Sequence, residues 1–194
     1  MRTANFWLVS VFCVSIGFFA SANGQSARTA VPSGPAFELS RAALERAQGL
    51  TQQSDWVAAG HELQAALRAV PDDGEDRMGE YLARDHVLFL LAENAGARFD
   101  DTARVDWIEQ RVAVRARFWG ADEPATLAVR NARAIEWCKV GRCADALADQ
   151  QAIYRHTLAQ RGPEHRNTLV ARHNMTTSLS DLGRHAEALA IEQE

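Results

Sequence analysis

Apolar and small residues recur every three or four positions along most of this chain, which is the spacing that places side chains on one face of an α-helix. A clear example is the segment in which Trp56, Ala59, Leu63 and Ala66 share one face. Pro71 closes that segment, because proline cannot continue a helix. No stretch shows the sustained alternation of apolar and polar residues, rich in β-branched side chains, that predicts a strand. The pattern therefore predicts an all-α protein built of helix hairpins.

We predict eight helical segments that form about four antiparallel hairpins, at residues 37–71, 76–118, 122–161 and 164–194. Gly141 and Gly183 supply tight turns within the third and fourth hairpins. Pro124 fits the first turn of the fifth helix, where its missing N–H is not needed. The eighth helix stops at Glu194 after about half the length of the sixth. We therefore expect the last hairpin to be incomplete, either because the chain is truncated or because a partner completes it.

The third and fourth hairpins repeat each other at an offset of 42 residues. Aligning Gly120–Ala152 with Gly162–Glu194 gives 11 identities in 33 positions, which is several times what composition alone produces. Self-similarity at a fixed period of this length is the sequence signature of a repeat architecture. Each hairpin of such an array buries its apolar face only against its neighbours.

These residues resemble the tetratricopeptide repeat (TPR) family, across roughly Phe37 to Glu194. The family's second-helix pattern of aromatic, small, large apolar, small and proline looks like the series from Trp56 to Pro71. Gly183–Leu189 is similar to its turn between the two helices. Gly162–Leu169 resembles the linker of the 42-residue subtype found in kinesin light chains and in many bacterial repeat proteins. The second hairpin matches the family pattern weakly.

The resemblance implies a right-handed solenoid whose concave surface is lined by the first helix of each pair. Carrying the family's groove positions onto this chain gives five polar candidates for a peptide-binding groove: Asn94, Asn131, Lys139, His173 and Thr177. Leu91 and Ile135 are their apolar neighbours. Asparagine can hold a peptide backbone because its side chain is both donor and acceptor. An equally good interpretation is that these five positions are exposed polar residues that bind no ligand.

Catalytic chemistry has little support in the sequence. It contains no glycine-rich phosphate loop after a strand, no His-Glu-x-x-His and no Gly-x-Ser-x-Gly. His165, His173 and His185 fall in one hairpin, but no two of them are one turn apart on a single face, which disfavours a metal site. The pairs Asp72-Asp73 and Asp100-Asp101 are interpreted as turn and helix-start carboxylates. We therefore predict no enzyme activity, no cofactor and no metal.

The charge balance disfavours nucleic acid as a partner. Without residues 1–22 the chain carries 20 basic and 25 acidic residues, so no protein-wide positive field exists to attract phosphates. The fourth helix carries an apolar stripe, and Arg104, Arg111 and Arg115 are expected to face water opposite it. The run Arg111, Arg115 and Arg117 is accordingly interpreted as a solvated helix face rather than a phosphate-binding patch.

The N-terminus has the three parts of a secretory signal peptide. Arg2 precedes an apolar run from Phe6 to Ala20, and cleavage is predicted after Ala22. An uncleaved membrane anchor is the alternative, although about 15 apolar residues fall short of the roughly 20 that a bilayer-spanning helix needs. Residues 23–35 are small, polar and broken by prolines, as in a flexible linker. These features predict a periplasmic or secreted protein with no stable membrane span.

Cys138 and Cys143 are the only cysteines beyond the predicted signal peptide, and they flank the turn of the third hairpin. In an oxidising compartment a disulfide could staple this turn. Hairpin geometry could equally hold the two Cα atoms beyond the ~7 Å that a bridge permits, which would leave two free thiols.

Two functions are compatible with these observations. The first is an exported, non-enzymatic scaffold that binds a peptide or protein on its concave face. The second is the N-terminal regulatory array of a longer exported protein, since bacterial chains of this kind often carry a caspase-like (CHAT-type) peptidase domain after the repeats. The uncapped last hairpin also makes self-association possible.

Overall fold

A computed structural model describes residues 35–71 and 77–193 of the chain. Within these ranges the chain forms eight α-helices and no strand: α1 (Pro35–Gln52), α2 (Trp56–Ala69), α3 (Arg77–Ala97), α4 (Asp101–Phe118), α5 (Pro124–Lys139), α6 (Cys143–Arg161), α7 (Arg166–Asp181) and α8 (His185–Glu192). None of the helices in the described ranges is long and apolar enough to cross a membrane. The predicted signal peptide, most of the predicted linker and the Asp72-Asp73 turn lie outside the described residues.

The eight helices pack in chain order as four hairpins, α1–α2, α3–α4, α5–α6 and α7–α8. Their apolar clusters are shared between neighbouring hairpins. Ala43, Leu63 and Leu88 belong to one cluster of the first two hairpins, whereas Leu147 and Met175 belong to one cluster of the last two. No hairpin could bury these side chains alone, so the array is stabilised by contacts between nearest neighbours.

The turn inside every hairpin has the same backbone geometry. One residue per turn adopts a left-handed conformation, and these residues are Ser54, Phe99, Gly141 and Gly183. In each case the N–H of the following residue donates to a carbonyl five residues earlier, as Arg142 N donates to Trp137 O at 2.7 Å. This is the Schellman arrangement that ends a helix and reverses the chain. Phe99, Gly141 and Gly183 lie 42 residues apart, so the backbone repeat extends into the second hairpin, where the sequence repeat is weak.

The same turn is built with two different side-chain chemistries. In the first two hairpins a non-glycine residue is followed by Asp55 or Asp100, whose carboxylate accepts the N–H three residues later at 3.0 Å. In the last two hairpins a glycine is followed by Arg142 or Arg184, which cap no backbone group with their side chains. These two arginines pair instead with the acidic residue three positions later in the helix. Aspartate thus satisfies a helix end in the first two hairpins where glycine is missing.

Two arginines of α4 are not solvated, contrary to the sequence-based expectation. Arg111 and Arg115 lie largely buried against α3, where their side chains donate to both carboxylate oxygens of Asp85 at 2.6 to 3.3 Å. Arg115 also donates to Ala125 O at 3.0 Å, which ties the second hairpin to the start of the third. Burial alone would raise the pKa of Asp85, but hydrogen bonds from Arg115 and then Arg111 outweigh it and hold the pKa below its usual value.

Glu109, a polar residue at a position where the repeat pattern has a small or apolar one, joins the second hairpin to the third. Glu109 accepts from Trp137 Nε1 at 2.8 Å and from Arg142 at 2.9 Å. The indole ring of Trp137 is flanked by the guanidinium groups of Arg133 and Arg142, at 4.2 and 4.6 Å from its centroid. A carboxylate at position 109 therefore replaces apolar packing with an inter-hairpin hydrogen bond.

A disulfide joins Cys138 to Cys143 across the turn of the third hairpin. Their Cα atoms are 4.2 Å apart, below the ~7 Å beyond which a bridge cannot form. The expectation that hairpin geometry could hold them beyond ~7 Å is therefore wrong, because the Schellman turn brings the end of α5 close to the start of α6.

The left-handed turn positions give opposite predictions for two substitutions. Phe99→Gly should raise the free energy of unfolding by about 0.5–1 kcal/mol, because it removes a left-handed phenylalanine that is 92% exposed and packs little. Gly141→Ala, at φ 81°, should lower it by about 1 kcal/mol. Urea unfolding monitored by circular dichroism measures both. A Phe99→Gly protein that is less stable than the parent would contradict the assignment.

The Asp85 cluster predicts an acid-sensitive contribution to stability. Asp85→Asn should lower the free energy of unfolding by about 2 kcal/mol at pH 7, a value between those typical of exposed and buried ion pairs. The folded-state pKa of Asp85 lies below its unfolded value of about 3.9, so this contribution is present above that pH and lost as the pH falls through the folded pKa. The difference in unfolding free energy between parent and variant should therefore shrink as the pH falls from about 5 to about 2. Asp106→Asn, an exposed change on α4, is the control; a gap independent of pH would refute the idea.

Reduction of the disulfide should destabilise the third hairpin. The bridge closes a short loop, so we expect a loss of about 2 kcal/mol in unfolding free energy on adding reductant. Cys143→Ser should show this loss permanently and respond no further to reductant. Alkylation with and without reductant, followed by peptide mass analysis, locates the bridge; two freely alkylated cysteines in the untreated protein would show that it is absent.

Candidate functional site

Helices α5 and α7 contact each other directly, although α6 lies between them in the sequence. Leu127 of α5 and Ala171 of α7 belong to one buried apolar cluster, together with Ile153 of α6. The 42-residue offset places Asn131 of α5 opposite His173 of α7 in repeat position, and Ile135 opposite Thr177. We call the surface formed by α5 and α7 around these four residues the α5–α7 groove.

One end of the groove holds an open cavity of about 240 Å³, here called the Gln150 cavity. Ile135 and Cys138 of α5 form one side, and Gln150 of α6 is also part of its lining. The α7 side is polar and consists of His173, Asn174, Thr177, Ser178 and Asp181. The lining contains one aspartate, Asp181, and no glutamate, lysine or arginine. The cavity therefore has an acidic character at neutral pH.

A second, larger cavity of about 880 Å³ lies at the other end of α5. It is lined by the segment from Trp119 to Pro124, by the last turns of α6 and by the first residues of α7. Both signs of charge line it, with Asp122 and Glu123 from the first segment and Arg161 and Arg166 from the helices. Asn131 lines this cavity and accepts a 3.4 Å hydrogen bond from Asn174, which lines the Gln150 cavity. This asparagine pair connects the two ends of the groove.

Helix α5 is fixed in position by a largely buried carboxylate on α6. Asp149 accepts from Arg130 at 2.5 and 3.1 Å and from Arg133 at 2.7 Å. The arginines lie on the first helix and the aspartate on the second, the reverse of the Asp85 cluster in the preceding hairpin. Charge-assisted, multidentate hydrogen bonds of this kind restrict orientation as well as distance. The groove-facing side of α5 is therefore presented by a rigid hairpin.

The structure brings three of the five predicted groove residues together. Asn131, His173 and Thr177 line the two cavities, and their predicted apolar neighbour Ile135 lies between the polar groups with half of its side chain exposed. Their placement follows the 42-residue register, which the sequence defines best in these two hairpins.

Asn94 is not available for ligand binding, and we remove it from the candidate set. It is buried, and its Nδ2 donates to Trp56 O at 2.8 Å, which ties α3 to the start of α2. A Cβ at Gly60 would come within 2.9 Å of Asn94 Oδ1, so the glycine makes room for it. The equivalent positions in later hairpins, Glu136 and Ser178, are also buried. The sequence register was therefore wrong in the second hairpin, and this position faces a neighbouring helix.

Lys139 and Leu91 also lie outside the groove cavities. Lys139 is half-exposed at the end of α5, where its Nζ pairs with the buried Glu136 at 2.8 Å. Leu91 is buried in the core shared by the first two hairpins. Their family-derived assignment as groove residues is not supported by these contacts.

Four residues that line the Gln150 cavity were not among the predicted groove residues: Gln150, Asn174, Ser178 and Asp181. Asp181 occupies the repeat position of Lys139, so the register that selected Lys139 could have selected it too. Gln150 lies on the second helix of its hairpin, outside the positions that the resemblance assigns to a groove. Only the packing of α6 beneath α5 and α7 brings it to the cavity.

One cluster in the described part of the chain has the composition of a metal site. The Sγ atoms of Cys138 and Cys143 and a carboxylate oxygen of Asp181 lie within 4.8 Å of one another. With the disulfide closed, the two sulfurs are bonded to each other and offer no thiolate to a metal. His165, His173 and His185 do not belong to this cluster. Cys138 Sγ also lies 3.8 Å from Ser178 Oγ, so the disulfide forms part of the cavity wall.

Two crystal structures from Podosopora anserina are similar to this chain in fold. Both are of a protein assigned as a kinesin light chain with nearly identical TPR-like repeats, the second in a variant form. The first has a TM-score of 0.64 at 17% identity and covers 79% of this chain and 72% of that one. The second has a TM-score of 0.63 at 16% identity and covers 96% and 80%.

No protein-family model matches the chain, and no curated protein sequence matches it. At identities below 20% the structural likeness establishes the fold and leaves the ligand open. The eight helices and their TPR-like neighbours confirm the predicted fold class, an all-α solenoid of TPR-type helix hairpins.

Proposed function

We propose that this protein is a non-enzymatic scaffold that binds a peptide segment of a partner protein in the α5–α7 groove. The observation that carries the proposal is the groove itself, in which two cavities on directly packed helices are joined by the Asn131–Asn174 pair. An extended peptide presents backbone donors and acceptors that asparagine side chains can satisfy. TPR-like folds suit this use, since the array displays one continuous surface on a stiff support.

The chemistry of the groove favours binding over catalysis. Its cysteine is held in a disulfide, and the exposed Thr177 hydroxyl donates to the backbone carbonyl of His173 at 3.0 Å. A hydroxyl nucleophile needs an adjacent base that accepts its proton. Thr177 instead uses its proton in its own helix, so the arrangement supports recognition of a ligand rather than attack on one.

Export to the periplasm or the cell exterior remains part of the proposal. The disulfide supports it, because such bridges persist in oxidising compartments and are rare in the cytosol. The N-terminal sequence features of a signal peptide point the same way.

A second candidate is a regulatory repeat array within a longer exported protein that carries a CHAT-type peptidase or another effector domain. The fourth hairpin favours it, because Leu189 is 60% exposed whereas its repeat equivalent Leu147, covered by α7, is 4% exposed. A further segment, a partner or a second copy of the chain could cover this apolar edge. Reading the coding sequence past the codon for Glu194 shows whether a further segment is encoded.

The groove proposal predicts that partner capture depends on groove side chains. A photo-crosslinking amino acid at position 177 should capture a protein from the native envelope fraction. Combining Asn131→Ala with His173→Ala should reduce recovery at least tenfold, because both side chains line the groove cavities. Circular dichroism and thermal unfolding check that the variant folds.

Matched controls separate groove binding from nonspecific adhesion. Ile135→Ser should reduce capture, whereas Val57→Ser, which changes a similarly exposed apolar residue on α2, should leave it unchanged. A crosslinker at position 155 of α6, exposed and outside both cavities, should capture little. Equal capture by the parent and the Asn131/His173 double variant would refute the groove assignment.

A further inference from the structure

Gln150, which lines the Gln150 cavity, carries a buried hydrogen-bond acceptor that the described residues do not satisfy. Gln150 is 1% exposed, and its side-chain oxygen Oε1 has no hydrogen-bond partner among residues 35–71 and 77–193. A buried amide oxygen without a donor destabilises a fold, and such groups are rare in native proteins. We propose that the Gln150 cavity binds the cationic end of a lysine or arginine side chain from the bound peptide. This inference rests on the proposed peptide-binding function and specifies its ligand.

The internal repeat shows why Gln150 lacks a partner. Glu192 occupies the equivalent position in the fourth hairpin, and its Oε1 accepts a 2.9 Å hydrogen bond from Thr176 Oγ1. The residue equivalent to Thr176 in the third hairpin is Ala134, which has no hydroxyl. The same architecture therefore provides an internal donor in one hairpin and leaves the acceptor open in the other. In the third hairpin that acceptor belongs to a residue that lines a cavity.

The other polar groups of the cavity suit a donor-only cation. Asp181 contributes a carboxylate within 4.8 Å of Cys138 Sγ, on the cavity wall. Ile135 contributes an exposed apolar surface that can cover the aliphatic stem of a long side chain. Lysine and arginine bring donors and no acceptors, so they complement an amide oxygen and a carboxylate. An acidic side chain would instead meet the charge of Asp181 with no lysine or arginine in the lining to offset it.

The choice of ligand can be tested with peptides of defined sequence. Arrays of 15-residue peptides with randomised flanks should carry a fixed central arginine, lysine, citrulline, norleucine or glutamate. The full protein, fluorescently labelled, is expected to bind the arginine and lysine sets on the order of tenfold more tightly than the citrulline and norleucine sets. A hydrogen bond to a charged group is stronger than a neutral one by about 1.4 kcal/mol, which corresponds to a tenfold difference in affinity. Comparing arginine with lysine shows whether the fork of a guanidinium is preferred to a point charge.

Three variants connect the preference to the named groups. Asp181→Asn keeps the shape of the side chain and should remove most of the preference for charged over neutral peptides. Gln150→Met replaces the unsatisfied amide by an apolar group of similar size, and should raise the midpoint of thermal unfolding while lowering the affinity for basic peptides. Ala134→Ser should supply an internal donor by analogy with Thr176 and weaken binding of the cation. Asp145→Asn, an exposed change on α6 outside the cavity, is the control.

The outcomes separate this inference from the groove proposal. Binding of the peptides with no preference for basic residues, or an Asp181→Asn variant that retains the preference, would overturn the inference while leaving the groove intact. The inference would also be overturned if Gln150→Met stabilised the fold without changing the affinity for basic peptides. The unsatisfied oxygen of Gln150 would then have no role in recognition. Peptides that crosslink equally to position 155 and position 177 would refute the groove proposal itself.

Discussion

The hydrogen-bonded reversal inside each hairpin is the constraint on which the rest of the structure depends. A residue in the left-handed region lets the N–H after it return to a carbonyl five residues earlier, so the second helix leaves at a fixed angle. Because the four turns share this geometry, the four hairpins have similar shapes and can stack. The apolar clusters then form across the contacts between neighbouring hairpins.

Identical backbone turns are maintained by different side chains, which explains why the sequence repeat fades while the structural repeat continues. Glycine permits the left-handed conformation without cost in the third and fourth hairpins. In the second hairpin Phe99 adopts it at a cost after the end of α3, and the Asp100 side chain stabilises the start of α4 that follows. The aspartate that pairs with two arginines also changes position between hairpins. Asp85 lies on α3, the first helix of the second hairpin, whereas Asp149 lies on α6, the second helix of the third hairpin. Ion pairing needs two groups to meet and does not specify which helix supplies which.

Two adjacent residues of α6 beside the α5–α7 groove differ in how far their polar groups are satisfied. Asp149 holds α5 rigidly through two arginines, whereas Gln150, the next residue, leaves an acceptor unsatisfied in a cavity. A rigid support with an open polar group is the arrangement that lowers the entropic cost of binding, because the site does not have to be ordered by its ligand. The disulfide in the wall of the same cavity restricts the turn that carries Cys138.

The sequence by itself determined the helical class, the hairpin count, the repeat period and the approximate helix ends, because 3.6-residue periodicity, glycines and prolines act locally. It also assigned Asn131, His173 and Thr177 to the first helices of the last two hairpins, since two well-matched repeats define each other's register. It misplaced Asn94, because the second hairpin has Phe99 and Glu109 where a glycine and an apolar residue would have set the register. Only the tertiary structure decided that Arg111 and Arg115 turn inward to Asp85, that Cys138 and Cys143 meet, and that Gln150 lies in a cavity without a donor. Each of these facts depends on which side chain of a different helix lies opposite, and no periodicity within one helix encodes that.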